Sequence, residues 1–181
     1  ELSGLDFTGL LEKLDSLGDY WLRFATSHPK DMSDRLINFL GQSHNLIHHL
    51  HLPVQSGSNK ILKAMNRNYT AEYYRTLINK VRQQWPDIIL TSDIIVGFPG
   101  ETDKDFADTI QLVKDLKFDQ VYVARYSPRP GTLAAKMADD VPAQVKKKRE
   151  QQLNQMVIAG ALKNRQAQIG QRVMVLLEEQ R

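Results

Sequence analysis

The sequence predicts an α/β fold built on a parallel sheet. Three observations carry that expectation. Helix-like and strand-like segments alternate along the chain. The run Ile88–Val96 is nearly continuous in apolar residues, as a strand buried on both faces should be. Each strand-like segment ends in a short polar turn rich in Gly, Pro or Ser.

The elements follow in chain order. Leu10, Leu11, Leu14 and Leu17 recur at helical spacing within residues 6–17, and Gly18 supplies a stop. Trp21 to Thr26, an apolar and aromatic run before Pro29, reads as a strand. Leu36, Ile37 and Leu40 share one face of a helix over 31–41, with Gly41 after it. Leu46 to Val54 is the next strand, ended by Gln55-Ser56-Gly57-Ser58, and a short helix covers 58–66. Thr70 caps a helix whose stripe is Tyr74, Leu77, Ile78, Val81 and Trp85, and Pro86 ends it. Gly97-Phe98-Pro99-Gly100 breaks the strand Ile88–Val96. Thr102 with Asp105 makes a capping-box pattern for a helix over 103–117, whose core side carries Phe106, Ile110 and Val113. Gln120 to Tyr126 is a further strand, and Pro128 with Pro130-Gly131 forces a loop. Right-handed crossovers between these strands give four parallel strands, either an open sheet or part of a barrel.

The tail has a different character. Pro142 suits the first turn of a helix running to about residue 168. This segment holds Lys146, Lys147, Lys148, Arg149, Lys163 and Arg165 against one acid, Glu150. Arg172 to Leu177 then reads as a lone strand that needs a partner.

Composition narrows the function classes. The chain has 181 residues, 41% of them hydrophobic and 25% charged, enough to bury a sizeable core. A net charge of +3 is too mild to identify a nucleic-acid partner. No apolar run approaches the roughly 18 residues of a membrane span, and no signal-peptide pattern is present. Zero cysteines exclude disulfides, thiolate zinc sites, cysteine nucleophiles and cysteine-ligated iron–sulfur clusters within the chain. The chain opens Glu1-Leu2-Ser3, so it is expected to be a piece of something longer.

Ligands of parallel α/β sheets bind at the carboxyl ends of the strands. Those ends carry Ser27-His28-Pro29, Gln55–Ser58, Gly97–Thr102 and Ser127–Gly131. The Gly97–Thr102 turn opens a helix, but Glu101, Asp103 and Asp105 would repel a phosphate there. The P-loop lysine is missing, and there is no GxGxxG. Asp93 lies inside an apolar strand and needs a partner. It is either a ligand-facing group or, the favoured reading, the ion-pair partner of Arg23 or Arg125. His44, His48, His49 and His51 are dense, and His49 and His51 share a strand face. No third metal ligand is evident, so packed or surface histidines are expected. Ser, His and Asp lack the nucleophile-elbow context of a hydrolase. Lys60, Lys63 and Arg67 lie on one side of the short helix. With Lys146, Lys147, Lys148 and Arg149 they either line an RNA path or form a solvated helix face.

At the strand ends the sequence resembles a known family. His51-Leu52-Pro53-Val54-Gln55-Ser56-Gly57-Ser58, followed by Ile61-Leu62-Lys63-Ala64-Met65-Asn66-Arg67, is similar to the radical-SAM methylthiotransferases. So are Asp93-Ile94-Ile95-Val96-Gly97-Phe98-Pro99-Gly100-Glu101-Thr102 and Tyr126-Ser127-Pro128-Arg129-Pro130-Gly131-Thr132. Arg23-Phe24-Ala25-Thr26-Ser27-His28-Pro29 looks like the family's preceding strand end.

The resemblance implies an enzyme of three parts: an N-terminal cluster domain, a partial (βα)6 barrel with the radical-SAM cluster, and a C-terminal TRAM β-domain that helps bind RNA. Residues 1–135 would be the last four barrel strands, 136–168 a helical connector, and 169–181 the start of the TRAM-like domain. The intact enzyme would use S-adenosylmethionine (SAM) and two [4Fe-4S] clusters. A CxxxCxxC segment is expected upstream of Glu1. This cysteine-free chain would bind neither cluster and would be inactive alone. Its partners would be tRNA, SAM and the missing N-terminal parts, in the cytoplasm, with no membrane.

By similarity, Ser27, Gln55 and Ser56 would face the SAM or substrate cavity. Asp93, Ile95 and Val96 would lie beside the SAM nucleoside, and Tyr126 and Ser127 at the last strand end. Strand alternation means that Ile95 and Val96 cannot both point inward, so one contributes backbone only. The substrate implied is a modified adenosine beside the tRNA anticodon. A methylthiotransferase acting on threonylcarbamoyl-adenosine or on a ribosomal protein is an alternative. So is a non-catalytic RNA-binding or scaffold fragment using the basic helix. An incomplete barrel exposes a strand edge, expected to be covered by a second copy in a homodimer or by the tail strand.

Overall fold

A three-stranded parallel sheet organises the molecule, in the order β1 (His49–His51), β2 (Ile89–Val96), β3 (Gln120–Arg125). The computed structural model describes residues 4–25, 27–166 and 169–172. Helix α1 (Phe7–Asp15) starts at Asp6, whose carboxylate accepts the Gly9 N–H at 2.7 Å. Helix α2 (Asp34–Gln42) starts at Ser33, whose hydroxyl accepts the Leu36 N–H at 3.1 Å. It begins three residues later than the sequence suggests, because Pro29–Asp31 forms a separate 3-10 turn. Helices α3 (Asn59–Ala64) and α4 (Ala71–Gln84) are capped by Ser58 and Thr70. Helix α5 (Asp103–Leu116) carries the full Thr102/Asp105 capping box.

Two expected strands are shorter than their apolar runs. Trp21–Thr26 contributes one parallel bridge, Leu22 to Leu46, among the described residues. Leu22 donates to the Asn45 carbonyl at 2.7 Å and accepts from Ile47 at 3.0 Å, and Ser27 donates to the His51 carbonyl at 3.2 Å. Thr26 lies outside the described residues. Leu46–Val54 keeps a ladder only at His49–His51. Pro53 has no N–H to donate, and the Val54 N–H is taken by the Ser92 hydroxyl at 3.0 Å. Pairing resumes at Gln55, which bridges Ile94.

The sheet has two unlike faces. Leu50, Leu90, Ser92, Ile94 and Val96 are fully buried among the helices. They pack with Leu62, Tyr74, Ile78, Leu112 and Leu153. Tyr74 satisfies its hydroxyl by donating to the Leu52 carbonyl at 2.6 Å. Helix α5 comes so close to the chain at Gly57 that a Cβ there would lie 2.5 Å from Thr109 Cα. The register His51–Thr91 and Asp93–Tyr122 puts the other residues of each strand on the opposite, open face.

Helix α6 (Ala143–Gln166) packs on β3 through Leu153 and Val157. Arg125, at the end of β3, pairs with Glu150 on this helix at 3.3 Å. Among the described residues β3 pairs only with β2. The strand expected at Arg172–Leu177, and most of the segment 169–181, lie outside the described residues.

Candidate functional site

The open face carries a polar cluster. His51 Nδ1 lies 2.9 Å from Thr91 Oγ1, and His51 Nε2 lies 3.5 Å from Asp93 Oδ2. His49 Nε2 reaches the same Thr91 hydroxyl at 3.3 Å. The exposed Tyr122 ring meets the His51 ring edge-on, with centroids 6.2 Å apart. Burial, then the Arg23 and His51 charges, lowers the His49 pKa, which favours a neutral ring.

Asp93 is placed differently from the favoured sequence reading. Its side chain is 41% exposed rather than buried, and its partner is His51. Arg125 is taken by Glu150. The β1–β2 register, which sequence alone does not reveal, sets this neighbourhood. His48 pairs instead with Asp87 at 2.7 Å, and His44 is exposed. Among the described residues no group of three or more His, Asp or Glu is arranged to hold a metal ion.

The strand ends complete the site. Ile95 shares the open face with Asp93, while Val96 is fully buried on the other side, so alternation separates the pair. Gln55 adopts φ +71°, in the left-handed region, and is 8% exposed. Its N–H donates to the Asp93 carbonyl at 2.9 Å, and its carbonyl accepts from Ile95 at 3.0 Å. With Ser27, His28 and Arg67 it lines a cleft of about 530 Å³. Ser56 turns away from that cleft. Its hydroxyl is fully buried, 3.3 Å from Thr109 Oγ1, and accepts the Ser58 N–H at 3.2 Å. Tyr126 and Ser127 line a second cleft, of about 520 Å³, at the end of β3. The Tyr126 hydroxyl donates to the Ala134 carbonyl at 2.8 Å, and its ring packs edge-on against Phe98.

The Gly97–Thr102 turn is fastened from inside. Gly97, at φ +70°, donates its N–H to Glu101 Oε2 at 2.7 Å. Arg149 spans Glu101 and Asp103, at 2.7 Å each. Burial pushes the Glu101 carboxyl above its usual range, against the Gly97 N–H and the Arg149 charge. Lys146 bonds Asp139 at 2.6 Å and reaches the Tyr126 carbonyl at 3.4 Å. Asp105 accepts from Ser58 at 2.7 Å, from the Thr102 N–H at 2.9 Å and from Lys60 at 3.0 Å. Burial raises the Asp105 carboxyl, but these bonds outweigh it and hold it well below the usual carboxylate range.

These contacts divide the basic residues expected along an RNA path. Lys146 and Arg149 are 6% and 5% exposed, and their charges are paired with Asp139 and with the buried Glu101. Lys60 is held by Asp105 and by the Gly100 carbonyl at 2.7 Å. Lys63, Lys147 and Lys148 are exposed, and Arg67 turns into the strand-end cleft. A wider cleft of about 620 Å³ lies between α3, α4 and α5. It lies behind two strand-end turns, lined by Gly57, Ser58 and Thr102, and its Lys60, Glu72 and Arg75 already have partners.

Sequence reasoning named His28 and His51 without these partners, and missed Tyr122 and the Arg149–Glu101 pair. The period-two spacing of His49, His51, Asp93 and Ile95 was the available signal for the open face.

Comparison with known proteins follows the same lines. Residues 2–113 match the family model described as the Radical SAM superfamily. The chain is 50% identical over 169 residues to a tRNA-2-methylthio-N(6)-dimethylallyladenosine synthase of Geobacillus thermodenitrificans (strain NG80-2), covering 93% of this chain and 32% of the relative. It is 47% identical over 174 residues to the protein of that name from Desulfitobacterium hafniense (strain Y51), covering 96% and 39%. The chain thus spans about a third of the length of these relatives. Coproporphyrinogen III oxidase (HemN) from Escherichia coli, described as a Radical SAM enzyme, shares the fold with a TM-score of 0.62. That match has 24% identity and covers 75% of this chain and 31% of the other. Among the described residues no helix is long and apolar enough to cross a membrane.

Proposed function

This chain belongs to the Radical SAM superfamily, and we propose that it forms the strand-end part of a tRNA methylthiotransferase acting on a dimethylallyl-modified adenosine. The observation that carries this reading is 47–50% identity, over most of the chain, to relatives bearing that name. In this reading residues 1–135 are the later strands of a partial barrel, 136–168 a connector and 169–181 the start of an RNA-binding β-domain, in a cytoplasmic enzyme.

The open face suits a nucleoside cofactor. Asp93 offers a carboxylate to hydroxyl or amino donors, and Ile95 an apolar surface beside it. Gln55 and Ser27 border the cleft at one strand end, with Tyr126 and Ser127 at the other. Ser56 and Val96 support these positions from behind. SAM bound here would supply the radical and methyl chemistry. The 181 residues contain no cysteine, so a thiolate-bound cluster does not fit this chain, which is inactive alone in this reading. Of the basic residues expected along an RNA path, Lys63, Lys147 and Lys148 are exposed and available to tRNA phosphates.

The test is nucleoside mass spectrometry of tRNA carrying dimethylallyl-adenosine after incubation with SAM and reductant. A complete, cluster-loaded protein containing this segment should yield the methylthio nucleoside, and the chain alone none. Methylthiolation of a ribosomal protein in place of tRNA would overturn the assignment.

A further inference from the structure

The strand-end cleft holds two polar groups for which the described residues supply no side-chain partner. Gln55 is 8% exposed, yet its side-chain amide has no hydrogen-bond partner among the described residues. That amide reaches the open cleft, since the buried unpartnered side-chain atoms among the described residues are His49 Nδ1, Glu101 Oε1 and Arg149 Nε, and a positive φ at a residue other than glycine is strained. The strained backbone and the open amide fall on one residue, at a strand end that borders a cleft. Arg67, partly buried in the same cleft, has no ion pair or side-chain hydrogen bond among the described residues.

The surroundings narrow the ligand. His28 Nδ1 accepts the Lys30 N–H at 3.2 Å, which leaves the Nε2 proton as a donor. Its ring is held edge-on to Tyr69, with centroids 5.6 Å apart. Burial, then the Arg67 charge, lowers the His28 pKa, while Asp31 raises it and Lys30 lowers it. Phe7 lines the cleft and is 46% exposed, an apolar ring of the kind on which an unpaired base stacks. The cleft volume, about 530 Å³, falls in the small-ligand range.

We infer that this cleft binds a phosphate group of a nucleotide, with Arg67 as its counter-charge and Gln55 and His28 as hydrogen-bonding partners. The inference rests on the tRNA reading and locates one contact of that substrate. A carboxylate would suit the same Arg67–Gln55 pair. Phe7 favours a nucleotide, because a free amino acid has no base to lay on the ring. Asp31 also lines the cleft and opposes an anion.

The test titrates the 181-residue chain with uridine 5′-monophosphate, inorganic phosphate and methionine, following the His28 imidazole by NMR. A pyrimidine nucleotide avoids any adenine site on the open face. The nucleotide and phosphate should each raise the His28 pKa, and methionine should not displace them. Arg67→Met should weaken nucleotide binding about tenfold or more, and Asp31→Asn should strengthen it. Arg67 has no ion pair or side-chain hydrogen bond among the described residues, so its replacement should leave the thermal midpoint unchanged. Equal nucleotide binding by wild type and Arg67→Met would overturn the inference, as would displacement by methionine. Binding of a tRNA anticodon stem-loop that survives Arg67→Met overturns the subsite and leaves the tRNA reading standing. Failure of the complete enzyme to modify tRNA overturns that reading alone, since the nucleotide titration does not depend on catalysis.

Discussion

Arg149 and Glu101 form a buried ion pair that joins α6 to the end of β2. Arg149 Nη1 lies 2.7 Å from Glu101 Oε2, and the same carboxylate oxygen accepts the Gly97 N–H at 2.7 Å. The long basic helix is therefore fastened to the turn that ends the central strand. Movement at the helix would be felt at the strand end.

Removing one partner of such a pair leaves the other charge buried without compensation. Arg149→Met is expected to lower stability by about 3–5 kcal/mol. Urea unfolding of both proteins measures this, and Arg149→Lys should recover part of the loss. A change below about 1 kcal/mol would mean that the pair contributes little.

Gly97 is required by both its backbone and its surroundings. At φ +70° an added Cβ would collide with the Lys146 Cγ. Gly97→Ala should cost about 1–3 kcal/mol. Gly100→Ala is the control, because its φ of +79° is also positive but no atom stands within 4 Å of the added Cβ. Thermal unfolding should show the larger loss at Gly97.

Asp105 gives a pH dependence of defined sign. Its folded pKa lies below the unfolded value of about 3.9. Its contribution is therefore complete above that value and is lost as pH falls through the folded pKa. Asp105→Asn should destabilise the chain at pH 7 by about 1–3 kcal/mol. It should also flatten the stability profile in the acid limb. Parallel acid limbs for wild type and variant would contradict the assignment.

Tyr122 lies on the open face with its ring exposed, against His51. Tyr122→Ala should change stability by less than about 1 kcal/mol. In the complete enzyme it should weaken SAM or substrate binding about tenfold, a 1.4 kcal/mol effect. Calorimetric unfolding and ligand titration separate the two.

Much of the framework was readable in the sequence because its signals are local. Thr70, the Thr102/Asp105 box and the apolar run into Val96 each depend on a few neighbouring residues. The first strand was over-read because Trp21–Thr26 carries the composition of a strand and only bridges its neighbour at Leu22. Leu46–Val54 was over-read because the cost of Pro53 depends on which N–H groups the ladder needs. The partner of Asp93 was not readable, since it follows from how β1 and β2 align. The Lys146–Arg149 run looked like a solvated basic face. Only its docking against Glu101, Asp103 and Asp139 shows that two of its four charges are internal.

The central claim is that the open sheet face and its strand ends form the SAM and substrate wall of a tRNA methylthiotransferase. The most direct test compares methylthio-nucleoside formation on tRNA by the complete enzyme and its Asp93→Asn variant. Asp93 is partly exposed and outside the core, so the variant should fold normally. The account expects product from wild type and about a tenfold or greater loss in the variant. Equal product from both proteins would contradict it.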